Sequence, residues 1–173
     1  MRVEWTAYPS PIGALTLVES GGRPLVVEFP QRAKRMKWVD RLRERHPGAQ
    51  LDLGPCRATA GWLEAYFGRR PRPFPYPEYL EEYFELSPEQ VAVWRKLCEI
   101  PLGETRAYED IGHATGLHPR HVGQLNGANH LAVLVPCHRV VGKTGALVGY
   151  GGGLQRKRWL LDHELRMTGL LLR

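Results

Sequence analysis

The sequence predicts an α+β protein with two domains: a small N-terminal α/β domain over residues 1–85 and a mostly helical C-terminal domain over residues 86–173. Three observations predict this. Segments rich in β-forming residues are concentrated near the N-terminus. Proline occupies every second position from Pro71 to Pro77, which excludes a helix there. Beyond that stretch, apolar residues recur mainly at helical spacing.

Three β-rich segments open the chain, and the turn-forming stretches between them predict an antiparallel meander. A basic amphipathic helix should follow, with a solvent-exposed arginine-rich face as a better explanation than DNA contact. A short strand and a second helix complete the α/β unit. The predicted elements are strands Val3–Tyr8, Ala14–Glu19, Leu25–Phe29 and Ala49–Leu53, helix Ala33–His46 with Met36, Val39 and Leu42 on one face, and helix Ala58–Phe67.

The proline-rich segment, taken together with Glu78–Leu86, is predicted to be an extended connection, so the linker covers residues 70–85. Ser87-Pro88-Glu89-Gln90 then provides a helix start, with Ser87 as N-cap and Pro88 in the first turn. Cys98 lies on the apolar face of this helix and is expected to be a core residue.

Two short helices are predicted next, separated by a turn at Gly116-Leu117-His118. The first spans Tyr108–Thr115 with Ile111 and Ala114 facing inward, and the second begins at Pro119. A helix, a glycine-containing turn and a helix form the helix-turn-helix pattern. Because many such pairs are only packing units, the pattern alone leaves DNA binding and simple packing open.

The composition is that of an ordinary globular protein, with 43% hydrophobic and 24% charged residues in 173. A start without a signal-peptide pattern, and apolar runs much shorter than the ~20 residues needed to cross a bilayer, predict a cytoplasmic protein without membrane association. Cys56, Cys98 and Cys137 are widely separated, which argues against a zinc site and against disulfides. We expect Cys56 to be a loop residue and the protein to hold no metal.

The net charge of +6 favours a polyanionic partner, although many basic proteins bind no nucleic acid. The excess of Lys and Arg over Asp and Glu is larger in residues 87–173 than in residues 1–86. All seven histidines except His46 also lie in the second half.

The segment Pro136-Cys137-His138-Arg139-Val140 places a thiol beside an imidazole, after a short apolar run over residues 131–135 that should be buried. A thiol is a useful nucleophile only as thiolate, and a neighbouring base is the usual means of forming one near neutral pH. For an isolated Cys-His pair, a buried structural cysteine beside a surface histidine is the simpler interpretation. The surrounding sequence therefore has to distinguish a catalytic cysteine from a structural one.

From Leu86 to Glu164 the chain resembles the O6-alkylguanine-DNA alkyltransferase family. The matching landmarks are Val93-Trp94, Ile100–Thr105, Tyr108, Arg120, Gly123, Asn129, Pro136–Val140, Gly145-Ala146, Tyr150, Gly152-Gly153, Trp159–Leu161 and Glu164. The resemblance implies a ribonuclease-H-like N-terminal domain and a C-terminal domain that binds double-stranded DNA. It also implies irreversible alkyl transfer from flipped-out O6-alkylguanine, and from O4-alkylthymine, to the protein's own cysteine. Such a protein works once, without cofactor, and we expect a monomer.

The resemblance also assigns roles to individual residues. In the reaction, Cys137 is the nucleophile, Glu164 orients His138, His138 removes the thiol proton through a water, and Tyr108 donates a proton or hydrogen bond to the departing guanine. The further assignments are Arg120 as the finger that enters the duplex, His121 and Gly123 on the same DNA-reading helix, Asn129 as a bridge to the active-site segment, and Val148, Tyr150 and Gly151 as the pocket wall.

Pro119, His121, His130 and Gly151 depart from the usual family pattern and affect the expected DNA fit and pocket polarity. The main alternative is a lesion sensor that binds alkylated DNA without chemistry and recruits another repair pathway. Such proteins lack the active cysteine, and Cys137 is present here. A Cys-His hydrolase is a further alternative, but it would leave the helix-turn-helix pattern unexplained.

Overall fold

The structure, a computed structural model, describes residues 1–35 and 37–169. The predicted inward position of Met36 and the last four residues of the predicted C-terminal domain lie outside the described residues. The chain divides into two compact units. The first contains residues 1–86 and the segment 130–134, and the second contains residues 87–129 and the described residues from Val135 onward. Strands and helices are both abundant, so the predicted α+β fold class is confirmed.

The first unit is built on a four-stranded sheet with the order β3-β2-β1-β4. Strands β1 (Arg2–Tyr8), β2 (Leu15–Ser20) and β3 (Arg23–Glu28) form the predicted antiparallel meander. Strand β4 (Gln50–Leu53) pairs with β1 in parallel. Strands β2 and β3 carry much of the core, and Leu15, Leu17 and Val26 are fully buried. The ribonuclease-H-like character of this unit stays a prediction.

The prediction of one continuous helix over residues 33–46 is wrong. The structure has two helices here, α1 (Pro30–Arg35) and α2 (Trp38–Arg45). Lys37 adopts a left-handed backbone conformation with φ of 50° and begins α2. Trp38 is 8% exposed, so the change of direction at Lys37 lets a large side chain reach the core. Helix α3 (Arg57–Phe67) is found where it was predicted.

Cys56 precedes α3 and is fully buried, with a left-handed φ of 44°. The Cys56 side chain does not cap the first turn of α3, and the buried carboxylate of Glu19 accepts a hydrogen bond from this turn instead. Glu19 Oε2 accepts hydrogen bonds from the Thr59 N–H and hydroxyl, both at 2.7 Å. Burial, with the nearby carboxylates of Glu19 and Glu4, raises the pKa of Cys56 to about 12, which makes this thiol inert at neutral pH.

The predicted linker is more structured than expected. Residues 71–77 lie outside helices and strands, as the prolines predict, and Phe74 packs edge-on against Trp62 of α3. Residues Leu80–Tyr83, however, form a short helix, α4. Leu80 and Phe84 are buried, so this part of the predicted linker belongs to the core of the first unit.

The segment 130–134 lies in the first unit, although the sequence assigned it to the second domain. Val27 N–H donates to the His130 carbonyl, and Ala132 N–H donates to the Val27 carbonyl, both at 2.8 Å. These bonds form a parallel bridge between β3 and Leu131. His130 is 2% exposed and packs on the Phe84 ring, so this departure from the family pattern is a core residue.

The second unit contains three mutually packed helices, α5 (Pro88–Cys98), α6 (Tyr108–Thr115) and α7 (Pro119–Gly127). Ser87 caps α5 by accepting the Gln90 N–H at 3.1 Å, as predicted. Between α6 and α7, Gly116 has a φ of 72°, which a glycine adopts without strain. Ile111 is buried as predicted, whereas Ala114 is exposed, so its predicted inward position is wrong.

The remainder of the second unit surrounds the Cys-His segment. Strands β5 (Arg106–Ala107) and β6 (Val140–Val141) pair in parallel, and a 3₁₀ turn spans Cys137–Arg139. Helix α8 covers Leu154–Met167. In the described part of the chain, no helix has the length and apolarity required to span a membrane. The same residues contain no cluster of three or more His, Cys, Asp or Glu side chains that could hold a metal ion.

Candidate active site

Cys137 lies in a tight turn between the buried segment and β6. Pro136 has no N–H to continue the preceding run, and the chain turns at this point. Cys137 N–H donates to the Val135 carbonyl at 2.8 Å, and Arg139 N–H donates to the Pro136 carbonyl at 3.0 Å. The Cys137 side chain is therefore held by a rigid backbone, and the residue is only 6% exposed.

His138 and Glu164 form a fully buried pair, with 2.6 Å between His138 Nε2 and Glu164 Oε1. Burial lowers the pKa of His138, and the attraction of Glu164 does not reverse this. The ring is consequently neutral at physiological pH. Because Nε2 faces a carboxylate, the proton belongs on Nε2, and Nδ1 is the basic nitrogen of the ring. This is the protonation state that a general base requires.

Glu164 also binds Arg139 and the loop before β5. Arg139 donates Nε to Oε2 at 2.9 Å and Nη2 to Oε1 at 3.0 Å, and the Gly103 N–H donates to Oε2 at 3.1 Å. Burial alone would raise the pKa of Glu164, but His138 and Arg139 together hold it well below its usual range. Arg139 further donates to the Ile100 carbonyl at 2.6 Å. The carboxylate on α8 thus fixes the turn that carries Cys137.

Lys157 is a residue of this site that the sequence prediction missed. It is fully buried, and its ammonium group donates to the carbonyl oxygens of Val140 and Val148, the latter at 2.8 Å, and of Gly149 at 3.3 Å. Burial lowers its pKa to about 8, against the opposing effect of Cys137. Lys157 therefore ties the strand after the cysteine turn to the segment predicted as the pocket wall.

Tyr108 faces the same segment from the start of α6. Its hydroxyl lies 3.4 Å from the carbonyl oxygens of Val148 and Gly149, and the Lys157 ammonium is 5.9 Å from its ring centre. Burial raises the pKa of Tyr108, and Cys137 acts in the same direction. The phenol is therefore protonated at neutral pH and has a proton to donate.

The predicted wall residues occupy the loop before α8. Val148 is 43% exposed, Tyr150 is half-buried and Gly151 is exposed. Gly149 has a φ of 53°, which directs its carbonyl and that of Val148 toward Lys157 and Tyr108. The loop is thus anchored at its backbone and leaves the Val148 side chain accessible to a ligand.

Two asparagines connect α7 to the cysteine turn. Asn129, which was predicted, is 2% exposed and donates to the Val135 carbonyl at 2.9 Å. Asn126, which was not, is 4% exposed and donates to the Cys137 carbonyl at 3.3 Å. Neither contact can be recognised from spacing, because a backbone carbonyl acceptor leaves no trace in the sequence.

The residues predicted to contact DNA lie on α7, on two different sides of the helix. Arg120 is exposed near the start of α7, and its own N–H is capped by His118 Nδ1 at 3.2 Å. His121 contacts Glu89 at 3.0 Å, and the hydrogen bond to Glu89 raises the pKa of His121. Gly123 instead faces the Tyr108 ring, because a Cβ built there would lie 3.8 Å from it. Pro119 begins α7.

This chain is similar to known proteins over most of its length. Residues 88–166 match the family model described as 6-O-methylguanine DNA methyltransferase, DNA binding domain. The inducible methylated-DNA–protein-cysteine methyltransferase of Bacillus subtilis is 37% identical, over 97% of this chain and 89% of that protein. The Mycolicibacterium paratuberculosis methylated-DNA–protein-cysteine methyltransferase is 40% identical, over 95% and 93%. A crystal structure of Mycobacterium tuberculosis OGT in complex with DNA superimposes with a TM-score of 0.72 at 32% identity, covering 96% and 94% of the two chains.

Proposed function

This chain belongs to the family of methylated-DNA–protein-cysteine methyltransferases, and we propose that it repairs DNA by moving an alkyl group from the O6 atom of guanine to Cys137. The observation that carries the proposal is the buried His138–Glu164 pair beside a cysteine held in a rigid turn. A nucleophile, a base and a group that orients the base are the components that covalent transfer to a side chain requires.

The reaction begins with the neutral His138 ring, which takes the Cys137 thiol proton through a water molecule. The Sγ thiolate then attacks the alkyl carbon, the C–O6 bond breaks, and its electron pair returns to guanine. Tyr108 donates a proton to the guanine ring as it departs. The imidazolium that forms is stabilised by the Glu164 carboxylate at 2.6 Å.

The product is an S-alkylcysteine, a thioether without an easy hydrolytic exit. Each molecule therefore works once and needs no cofactor. We propose O4-alkylthymine as a second substrate, because its alkyl carbon is likewise carried on an exocyclic oxygen. We also propose that the protein acts as a monomer.

The target atom is inaccessible in stacked duplex, so the nucleotide must leave the helix at a cost of about a few kcal/mol. The exposed Arg120 at the start of α7 is suited to occupy the vacated position, because a guanidinium can both stack and hydrogen-bond. The loop from Val148 to Gly151 would receive the flipped base beside Tyr108.

The test is to mix the protein with duplex DNA that contains one O6-methylguanine, then measure its intact mass and map the modified peptide. We expect one added methyl group per protein, on Cys137, and none in Cys137→Ala. Cys98→Ala is the matched control, because Cys98 is a half-buried thiol whose pKa burial raises to about 12. Tight binding of the lesion without added mass would instead identify a lesion sensor.

A further inference from the structure

Asn126 is a buried amide at the end of the DNA-reading helix that has no assigned role. It lies in the last turn of α7, which is also held by the Trp94 indole N–H donating to the Leu125 carbonyl at 2.9 Å. The Asn126 side chain reaches the cysteine turn, where Nδ2 donates to the Cys137 carbonyl at 3.3 Å. A helix that faces DNA is thus bonded to the backbone of the nucleophile.

The same side chain reaches Tyr108. The Tyr108 ring lies against α7 at Gly123, and Asn126 follows Gly123 by three residues, which places both on one face of the helix. A hydrogen bond from Asn126 lowers the pKa of Tyr108 and so partly offsets the larger effect of burial. An amide N–H directed at the Tyr108 oxygen would favour the phenolate, because a phenolate accepts hydrogen bonds and donates none.

The orientation of the amide follows from these contacts. Nδ2 has two hydrogens, and the Cys137 carbonyl accepts one of them at 3.3 Å, which leaves the other for the Tyr108 oxygen. A flipped amide would place Oδ1 beside the Cys137 carbonyl oxygen, where two acceptors would repel each other. In the observed orientation Oδ1 is buried and accepts no hydrogen bond from the described residues. A buried polar atom without a partner is uncommon in folded proteins, and a catalytic role is one explanation for it.

We propose that Asn126 is a positioning residue for proton donation: its amide, anchored on the Cys137 carbonyl, holds the Tyr108 hydroxyl and stabilises it as its proton leaves. The inference rests on the proposed alkyl transfer. When the C–O6 electron pair returns to guanine, the phenol proton passes to the base and the phenolate oxygen keeps the hydrogen bond from Nδ2. The phenolate then regains a proton from solvent.

The position of Asn126 on α7 also connects DNA binding by this helix with proton donation by Tyr108. Because α7 carries Arg120 at one end and Asn126 at the other, a shift of the helix on DNA would move the amide that orients Tyr108. The Asn126 amide donates to the Cys137 carbonyl from the helix face on which the Tyr108 ring lies.

A double-mutant cycle tests the proposal. Single-turnover methyl transfer from O6-methylguanine duplex is measured for wild type, Asn126→Leu, Tyr108→Phe and the double variant, at protein concentrations that saturate the DNA. We expect Asn126→Leu to be slower by about tenfold or more, because a misplaced Tyr108 would lose part of the roughly 10²–10⁴-fold that general acid–base catalysis contributes. In the Tyr108→Phe background the same change should have little further effect. Equal slowing in both backgrounds would overturn the proposal.

The pKa of Tyr108 provides a readout that loss of packing would not mimic. With ¹³C-labelled tyrosine, whose Tyr108 signal is assigned from Tyr108→Phe, we expect the pKa of Tyr108 to rise in Asn126→Leu because the N–H donor is gone. Should Asn126→Leu fold poorly, Asn126→Asp keeps the shape and removes both donors, and it should raise that pKa further. An unchanged Tyr108 titration in the folded variants would refute the proposed contact.

Thr59→Val in the first unit controls for lost stability, since it removes a buried hydroxyl bond far along the chain from the reaction. It should lower the unfolding temperature and leave the transfer rate unchanged. Failure of the proposed function would look different: wild type itself would gain no methyl group, whereas the Tyr108 titration would still report whether Asn126 holds the phenol.

Discussion

At the scale of single residues, the site is governed by charges that are buried yet paired. Glu164 is fully buried, and its carboxylate accepts bonds from His138, from Arg139 twice and from Gly103. Isolated burial of such a charge would be prohibitive, but each partner offsets part of its desolvation. The consequence is a neutral His138 fixed in one tautomer, which keeps Nδ1 basic at neutral pH.

Glu164→Gln tests this arrangement. The amide would offer an N–H where His138 now donates, which favours the wrong tautomer, and we expect methyl transfer to be slower by about 10²–10⁴-fold. It also leaves Arg139 without its carboxylate, so the free energy of unfolding in urea should fall by about 3–5 kcal/mol. Glu99→Gln, in an exposed pair with Lys96, should change it by less than about 1 kcal/mol.

The pH dependence has a defined sign. The pKa of Glu164 is lower in the folded protein than its ordinary 4.5, so its contribution is complete above that value and is lost as the pH falls toward the folded pKa. The difference in stability between wild type and Glu164→Gln should therefore shrink in acid. A difference that stayed constant down to acid unfolding would contradict a buried carboxylate at this position.

Lys157, a buried cation, leads to a second prediction about the pH dependence of stability. Its pKa falls from 10.5 when unfolded to about 8 when folded, so between these values the unfolded chain binds the extra proton and stability rises with pH. Lys157→Met should lower stability at pH 7.5 because three carbonyls lose their donor. Relative to this variant, wild type should gain stability on going to pH 9.5.

Urea unfolding of both proteins at the two pH values measures that gain. Lys143→Met is the control, because the Lys143 side chain is 78% exposed and forms a surface pair with Glu109. It should behave as wild type at both values. If wild type and Lys157→Met changed in parallel between pH 7.5 and 9.5, Lys157 would not be the titrating group.

The sequence predicted Cys137, His138, Glu164 and Tyr108 as a group because they carry the family pattern. It did not predict Lys157 or Asn126, since both act on backbone carbonyls of distant segments. Any residue can supply a carbonyl, so neither periodicity nor motif spacing records such a contact. The left-handed φ of 72° at the β-branched Val133 is equally invisible in sequence, because local preference disfavours it.

At the scale of elements, the loops between the helices contribute to the geometry of the site through glycines with a positive φ. Gly103 and Gly145 share a φ of 78°, which costs a residue with a Cβ about 1–2 kcal/mol. They differ in surroundings. A Cβ at Gly103 would lie 2.6 Å from Thr168 Cγ2, whereas one at Gly145 would have no neighbour within 4 Å. The Gly103 N–H also supports Glu164.

Alanine substitution at the two glycines separates the cost of the positive φ, which both positions share, from the clash with Thr168, which only Gly103 would have. We expect Gly145→Ala to lower the free energy of unfolding by about 1–2 kcal/mol and to leave methyl transfer unaffected. Gly103→Ala should cost more, and transfer should be slower because the loop would move away from Glu164. Urea unfolding and single-turnover transfer report the two effects. Equal effects of both substitutions would show that only the backbone conformation matters.

The elements that sequence analysis misjudged have a common cause. Lys and Arg are good helix formers, so nothing in the sequence around Lys37 indicates the break between α1 and α2. The burial of Trp38 and Leu42 determines it instead. Likewise, the prolines before Glu78 suggested that the extended segment continued, but burial of Leu80 and Phe84 stabilises α4. In both cases tertiary packing overrides local preference.

At the scale of the whole molecule, the α+β composition was predictable because strand-rich and helix-rich patterns occupy different halves of the sequence. The position of residues 130–134 was not. Both flanking segments belong to the second unit, and the bridge from Leu131 to Val27 joins residues about a hundred positions apart. A buried apolar run is compatible with many partners, and sequence alone does not select one.

The net charge of +6 is a property of the whole chain and leads to the last prediction. If phosphate contacts supply most of the affinity, binding to undamaged duplex should be nearly independent of its sequence. The logarithm of the affinity should then fall linearly with the logarithm of the salt concentration, with a slope of about −0.9 per phosphate neutralised. Fluorescence anisotropy with two unrelated duplexes between 50 and 200 mM salt measures the sequence dependence and the salt dependence of binding. Over this range, ~6–10 phosphate contacts would lower the affinity by a factor of about 10³–10⁵.

Arg120→Ala assigns part of that charge to α7. If its guanidinium acts in the phosphate-rich groove, the variant should bind more weakly and its salt slope should be smaller by about 1. Arg2→Ala removes the same charge from β1, where Arg2 is 3.9 Å from Asp52, and should leave the slope unchanged. An affinity that ignores salt would exclude a phosphate-driven interface, and equal effects of the two variants would mean that net charge alone, rather than α7, attracts the DNA.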